Sequence, residues 1–156
     1  MPQTWADLGA GNGLFTRALA SLLEPGSTIS AVDKSLSSLN EIQRGGPVEI
    51  KIIHKDFVTQ EIGGHPFEGV VMANSIHFVR DKPPLFAKLK RNLKPHGRLI
   101  LVEYDLEKPS RWVPFPLSYD ALVKFSTREG LRSVRKIGTV QSQLNPAAIY
   151  SALLTY

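Results

Sequence analysis

Thr4-Trp5-Ala6-Asp7-Leu8-Gly9-Ala10-Gly11-Asn12-Gly13 is the stretch that decides the fold of this 156-residue chain. Its first half reads as a short buried strand, and its second half carries a glycine at every second position. Three side chains are thereby removed from one tight turn, so the backbone can take positive φ and a ligand can lie against it. An ordinary strand-to-helix turn reads the same way, and the loop acquires meaning only from the chain that follows.

That chain alternates. Leu14, Phe15, Ala18, Leu19, Leu22 and Leu23 recur at helical spacing until Pro25-Gly26, which predicts a first helix packed on a sheet. Residues 28–33 read as a second strand, Ser35 as an N-cap, and Leu36, Leu39 and Ile42 as the apolar stripe of a second helix ending near Gly45-Gly46. Residues 48–54 form a third expected strand and 67–73 a fourth, the latter nearly continuous and apolar as central parallel strands are. Residues 57–66 are expected to be mostly irregular. Pro83 and Pro84 mark the start of a helix striped by Leu85, Phe86, Leu89 and Leu93 and stopped by Pro95-His96-Gly97. A fifth strand is expected over 98–104, a long loop over 105–117, a helix from the cap Ser118 to Glu129, and two strands over 131–139 and 148–156. With no helix between them, the last two are expected to pair as an antiparallel hairpin.

Strands in alternation with helices call for an α/β fold with a parallel sheet and helices on both faces, and ligands bind such sheets outside the carboxyl ends of the strands. Four features fall there: the glycine loop after strand one, Asp33 after strand two, Asp56 after strand three and Asn74-Ser75 after strand four. Asp33 stands 20 residues beyond Gly13, where such folds bind vicinal ribose hydroxyls, because one carboxylate accepts two hydrogen bonds. A helix-capping role ahead of the second helix is the alternative for Asp33.

The run Asp7-Leu8-Gly9-Ala10-Gly11-Asn12-Gly13-Leu14-Phe15 resembles the first signature of class I S-adenosylmethionine-dependent methyltransferases, an acidic residue ahead of a G-x-G-x-G loop. Ala31-Val32-Asp33, Lys55-Asp56-Phe57 and Met72-Ala73-Asn74-Ser75-Ile76-His77 match the later motifs of that family in order, and the resemblance extends over essentially the whole chain. It implies a three-layer Rossmann-like sheet of seven strands, mostly parallel with an antiparallel last strand, in the order 3-2-1-4-5-7-6, and a single domain over residues 1–156. It also implies site roles. Asp7 would orient the methionine amino end through water, the backbone at Gly9, Ala10, Gly11 and Gly13 would lie against that moiety, and Asp33 would hold the ribose. Asp56 would accept from the adenine amino group with Phe57 or Lys34 beside the ring, and Asn74 and Ser75 would line the sulfonium. His77 is the candidate general base, with Glu103 and Tyr104 behind it, and a structural histidine is the alternative. The aromatics of Trp112-Val113-Pro114-Phe115-Pro116 would overhang the same sheet edge as a substrate wall or as a packed lid.

The implied cofactor is S-adenosyl-L-methionine, with no metal, and the implied activity is methyl transfer to a small-molecule acceptor. Position 14 is Leu, which separates the loop from the G-x-G-x-x-G of nicotinamide enzymes. An NAD(P)-dependent oxidoreductase and a non-catalytic cofactor-binding scaffold are the rival readings. Charge keeps a third partner in view: residues 1–79 hold 5 Lys/Arg against 8 Asp/Glu, and residues 80–156 hold 14 against 6. The basic second half suits RNA or another anionic acceptor, although Lys88, Lys90, Arg91 and Lys94 on one expected helix also read as a solvated face.

The 42% apolar and 21% charged shares are those of a globular protein, and no apolar run reaches the length of a membrane span. With no cysteine and no basic-then-apolar leader, a cytoplasmic location is expected. Only Met1-Pro2-Gln3 precede the first strand, where the family usually carries covering helices, so an open site or a site covered by a partner chain, as in a homodimer, is expected.

Overall fold

The computed structural model describes residues 1–64, 66–144 and 146–156. His65, which falls in the stretch expected to be irregular, lies outside the described residues. One seven-stranded sheet organises the chain: β1 (Thr4–Leu8), β2 (Thr28–Asp33), β3 (Glu49–His54), β4 (Phe67–Ala73), β5 (Leu93–Tyr104), β6 (Ser133–Gln141) and β7 (Ala148–Thr155). Their order is β3-β2-β1-β4-β5-β7-β6, with β1 to β5 mutually parallel and β7 antiparallel to both of its neighbours. This is the expected order, and β6 and β7 form the expected antiparallel pair.

Helices cover both faces. On one face α3 (Lys82–Asn92) and α4 (Tyr119–Arg128) bury Leu85, Phe86, Leu89, Leu122 and Phe125 against Leu99, Leu101, Tyr150, Ala152 and Leu154. The Phe86 and Phe125 rings meet edge to face at 4.7 Å. On the other face α1 (Leu14–Ala20) packs Leu19 onto Trp5, Ile29 and Val71, and α2 (Leu36–Leu39) packs Leu39 onto Ala31. The Trp5 ring lies flat on β4 at Gly69, where a Cβ would stand 2.3 Å from it. Along β5 and β7 the buried residues alternate with Ile100, Val102, Ile149 and Leu153, which are only half-buried on the α1 side.

Three expectations need correction. Leu14 and Leu22, placed on the packed stripe of the first helix, are 62% and 82% exposed. Ala18 is exposed as well, whereas Phe15, Leu19 and Leu23 of the expected stripe do meet the sheet, joined by Ala20 and by Thr16, which turns inward to bond Asp7. The second helix ends at Leu39, not near Gly45: Glu41 and Ile42 bond back only three residues, to Ser38 and Leu39, and Ile42 leaves the helix to pack under the glycine loop. β5 begins at Leu93, before Pro95-His96-Gly97, because Leu93 pairs with Phe67 and the chain bulges through Lys94–Gly97, with His96 at φ 65°, before rejoining the ladder at Arg98. The caps hold: Ser35 accepts from Ser38 N at 3.3 Å and Ser118 from Ala121 N at 3.2 Å. Among the described residues no helix is long and apolar enough to cross a membrane.

Candidate cofactor site

Because β1 to β4 run parallel, the segments that leave their carboxyl ends all emerge at one edge of the sheet. A cavity of about 360 Å³ opens there, a volume within reach of a small-molecule site. Gly9, Asp33, Lys34 and Asp56 line it, together with Phe57, Asn74 and Ser75, so seven of the eleven expected cofactor residues meet around one space. Lys55, Val58 and Phe78 complete the wall. Val58 was legible as the neighbour of Asp56-Phe57; Phe78, 59% exposed, carried no motif of its own.

The glycine loop is built by close contacts. Gly9 has φ 82°, and a Cβ there would stand 2.4 Å from Ser75 Cβ, so the loop after β1 touches the segment after β4 directly. Ser75 seals that contact by donating its hydroxyl to Leu8 O at 2.7 Å. Gly11 N donates to Asp33 Oδ2 at 2.9 Å, and Ser35 N donates to Asp33 Oδ1 at 2.8 Å. Asp33 thus ties the loop after β1 to the end of β2, while each of its oxygens keeps a further lone pair toward the cavity. The capping function belongs to Ser35, not to Asp33. Asp56 accepts from Val58 N at 2.9 Å, which shapes the turn that carries Phe57.

Asp7, Ala10, Gly11 and Gly13 do not line this cavity. Ala10 is buried against Leu39 and Ile42. Gly13 has φ 85°, and a Cβ there would meet the Ile42 side chain at 2.8 Å, so its glycine is required by packing. Asp7 lies 1% exposed at the base of the loop, where Thr16 donates to Oδ2 at 2.6 Å. Burial pushes its carboxyl up to about 6; the Thr16 hydrogen bond opposes the rise and the Asp33 charge adds to it.

Two buried acceptors remain without a donor among the described residues: Asp7 Oδ1 and Asn74 Oδ1. Asn74 itself is held at φ 52° with its N–H on Val102 O at 2.8 Å, a left-handed conformation that asparagine tolerates. Buried acceptors of this kind call for donors. An amino acid ammonium meets that requirement, and the carboxylates and aromatic faces of the cavity suit a ribose and a purine. The residues present therefore fit S-adenosylmethionine.

His77 sits next to the cavity wall but not on it. It is 3% exposed, and its Nδ1 lies 2.8 Å from Oε1 and 2.9 Å from Oε2 of Glu103, which is fully buried at the end of β5. Its ring meets Phe78, which does line the cavity, at 4.3 Å between centroids and tilted by 51°. The 105–117 loop docks on the same segment: Phe115 N donates to His77 O at 3.0 Å, and Lys82 Nζ bridges Val79 O and Phe115 O, each at 2.9 Å. Val113 and Leu117 are buried and Trp112 is 75% exposed, so the loop is anchored by its aliphatic residues and by Phe115.

The family model for the Methyltransferase domain matches residues 6–101. Among curated proteins no match is found. The fold superposes on an arsenic(III) S-adenosylmethionine methyltransferase from Chlamydomonas reinhardtii with TM-score 0.77 and 18% identity, over 97% of this chain and 62% of that one. A putative S-adenosylmethionine-dependent methyltransferase from Listeria monocytogenes gives TM-score 0.73 and 14% identity, over 99% and 91%. Phosphoethanolamine N-methyltransferase 2 from Haemonchus contortus gives 0.77 and 14%, over 99% and 49%. The chain thus spans less than two thirds of the algal enzyme and about half of the nematode one. With the match running from Ala6 in β1 to Leu101 in β5, the glycine loop and the ends of β2, β3 and β4 in their expected places, and β7 antiparallel, this chain belongs to the class I S-adenosylmethionine-dependent methyltransferases.

Proposed function

We propose that this chain moves a methyl group from S-adenosylmethionine to a small-molecule acceptor. The observation that carries this reading is the pair of buried acceptors without donors, Asp7 Oδ1 and Asn74 Oδ1, at the carboxyl ends of adjacent strands on either side of the glycine loop. When bound, the cofactor supplies a methyl group already activated on a sulfonium, so the protein has mainly to bind and orient. Asp33 accepts from ribose hydroxyls with the lone pairs left over from Gly11 N and Ser35 N. Phe57 and Phe78 offer apolar surface to the purine, Asn74 accepts from the ammonium end at the cavity wall, and Asp7, buried behind the loop, orients that end through water. His77, 3% exposed behind Phe78 with its Nδ1 engaged by the buried Glu103, fits the structural-histidine alternative better than the general-base one.

A small acceptor agrees with the relatives whose substrates are arsenic(III) and phosphoethanolamine. RNA, favoured by the basic second half, predicts binding that weakens steeply with salt; a flat response removes it. A homodimer in which a partner chain covers the site is tested by sedimentation, where a monomeric mass would end that reading. The deciding experiment is calorimetry with S-adenosylhomocysteine and with NAD. Binding of the former alone is expected; binding of NAD alone overturns the proposal. In Asp33→Ala the affinity falls about tenfold or more, because the variant loses the ribose acceptor and frees Gly11 N together. Turnover with no member of a broad panel of acceptors, despite tight binding, would favour the scaffold reading.

A further inference from the structure

One of the lysines expected on a solvated helix face, Lys88, is buried instead and belongs to no part of the site described so far. Lys88, on the inner side of α3, is 8% exposed, and no salt bridge joins it to a carboxylate among the described residues. Its Nζ donates to three backbone carbonyls: Phe57 O at 3.0 Å, Val58 O at 3.0 Å and Gln60 O at 2.8 Å. An ammonium has three N–H donors and no acceptor, so all of its donors are used on a single turn of chain.

That turn is one helical turn that goes no further. Gln60 N bonds Asp56 O at 2.9 Å, while the Gln60 side chain accepts from Asp56 N and Asp56 Oδ1 accepts from Val58 N. The last carbonyls of such a turn have no intrahelical donor and carry the negative end of its dipole. Lys88 supplies the missing donors and the matching charge. Asp56, Phe57 and Val58 of this turn line the cavity, and Phe57 packs into the core cluster that holds Leu85 and Leu89 of α3. The cavity wall is thus fastened to a helix that does not itself reach the cavity.

We propose that Lys88 is a positioning residue for the nucleoside end of the site: by capping the 56–60 turn it holds Asp56, Phe57 and Val58 in the arrangement that receives the purine. The proposal rests on the cofactor reading above. Removing this one side chain, 28 residues from Gln60, leaves the carbonyls of Phe57, Val58 and Gln60 without the donor they share.

The test is Lys88→Met, which keeps the stem and removes the donors. Calorimetry with S-adenosylhomocysteine should show affinity reduced about tenfold or more, with far-UV circular dichroism unchanged. Hydrogen exchange should accelerate at amides 57–61 and stay protected in β1 and β4. Lys88→Arg should recover most of the affinity, which a general loosening of the core would not allow. Should the methionine variant not fold, Lys88→Gln, with two N–H donors, is read in the same way, with an expected loss of about threefold. Wild-type affinity in the folded variant, with unchanged exchange at 57–61, overturns this proposal alone. Failure of the wild-type protein to bind S-adenosylhomocysteine overturns the cofactor reading and this proposal with it.

Discussion

Replacing Asp7 by Asn separates what the glycine-loop carboxylate costs the fold from what it contributes to the site. Burial raises the Asp7 carboxyl from 3.8 to about 6, so the native protein holds this proton more tightly than the unfolded chain. The group therefore costs nothing below about pH 3.8, and stability falls as pH rises from there to about 6. Above that, the shift of about two units corresponds to a standing cost on the order of 3 kcal/mol. Asn abolishes the titration, and its carbonyl still accepts from Thr16, but its NH2 falls where Asp7 Oδ1 has no partner, which returns part of the gain. The stability of Asp7→Asn relative to wild type is expected to rise by about 2–3 kcal/mol between pH 4 and pH 8, on top of a pH-independent offset from the amide. Urea denaturation of both proteins between pH 4 and 8 reads this difference, and subtraction removes every other titrating group. Affinity should move the opposite way: S-adenosylhomocysteine binds the variant about ten- to a hundredfold more weakly at pH 8, and its wild-type affinity declines as pH falls through about 6. A stability difference that is flat with pH, or that falls as pH rises, would refute the electrostatic reasoning.

Other substitutions test the frame. In Gly69→Ala the new methyl would stand 2.3 Å from the Trp5 ring, so a loss of about 2 kcal/mol or more is expected in thermal unfolding, accompanied by a change in tryptophan emission. Ser118→Ala removes the acceptor for Ala121 N at the start of α4 and should cost about 1 kcal/mol without altering the site, as read by unchanged S-adenosylhomocysteine affinity. Tyr150→Phe deletes the hydrogen bond from its hydroxyl to Leu117 O, which anchors the end of the 105–117 loop in the core; a loss of about 1 kcal/mol is expected in denaturant titration.

Much of the site was legible because its parts are local in sequence. A strand that ends in glycines, an acid at the end of the next strand and an asparagine at the end of the fourth each announce themselves within a few residues, and parallel topology brings strand ends together without further instruction. Helix extents were less legible. The leucines at 14 and 22 fit a helical stripe as well as Phe15 and Leu19 do, and only the bond from Thr16 to Asp7 decides which side faces the sheet. Ile42 belongs by spacing to α2, yet it is drawn off to fill the space that Gly13 leaves.

The sequence by itself determined the alternation of strands and helices, the seven-strand order carried by the family resemblance, and which residue types stand at the carboxyl ends of the strands, because period and turn chemistry are properties of neighbouring residues. The tertiary structure alone decided which of those residues line a cavity and which support it. It set Gly13 and Ala10 in packing contacts, engaged His77 with Glu103, 26 residues away, and laid the Lys88 ammonium on the turn behind Phe57. Each of these contacts joins groups far apart along the chain, and a charged residue on a helix reads as solvent-facing until the partner it caps is in place.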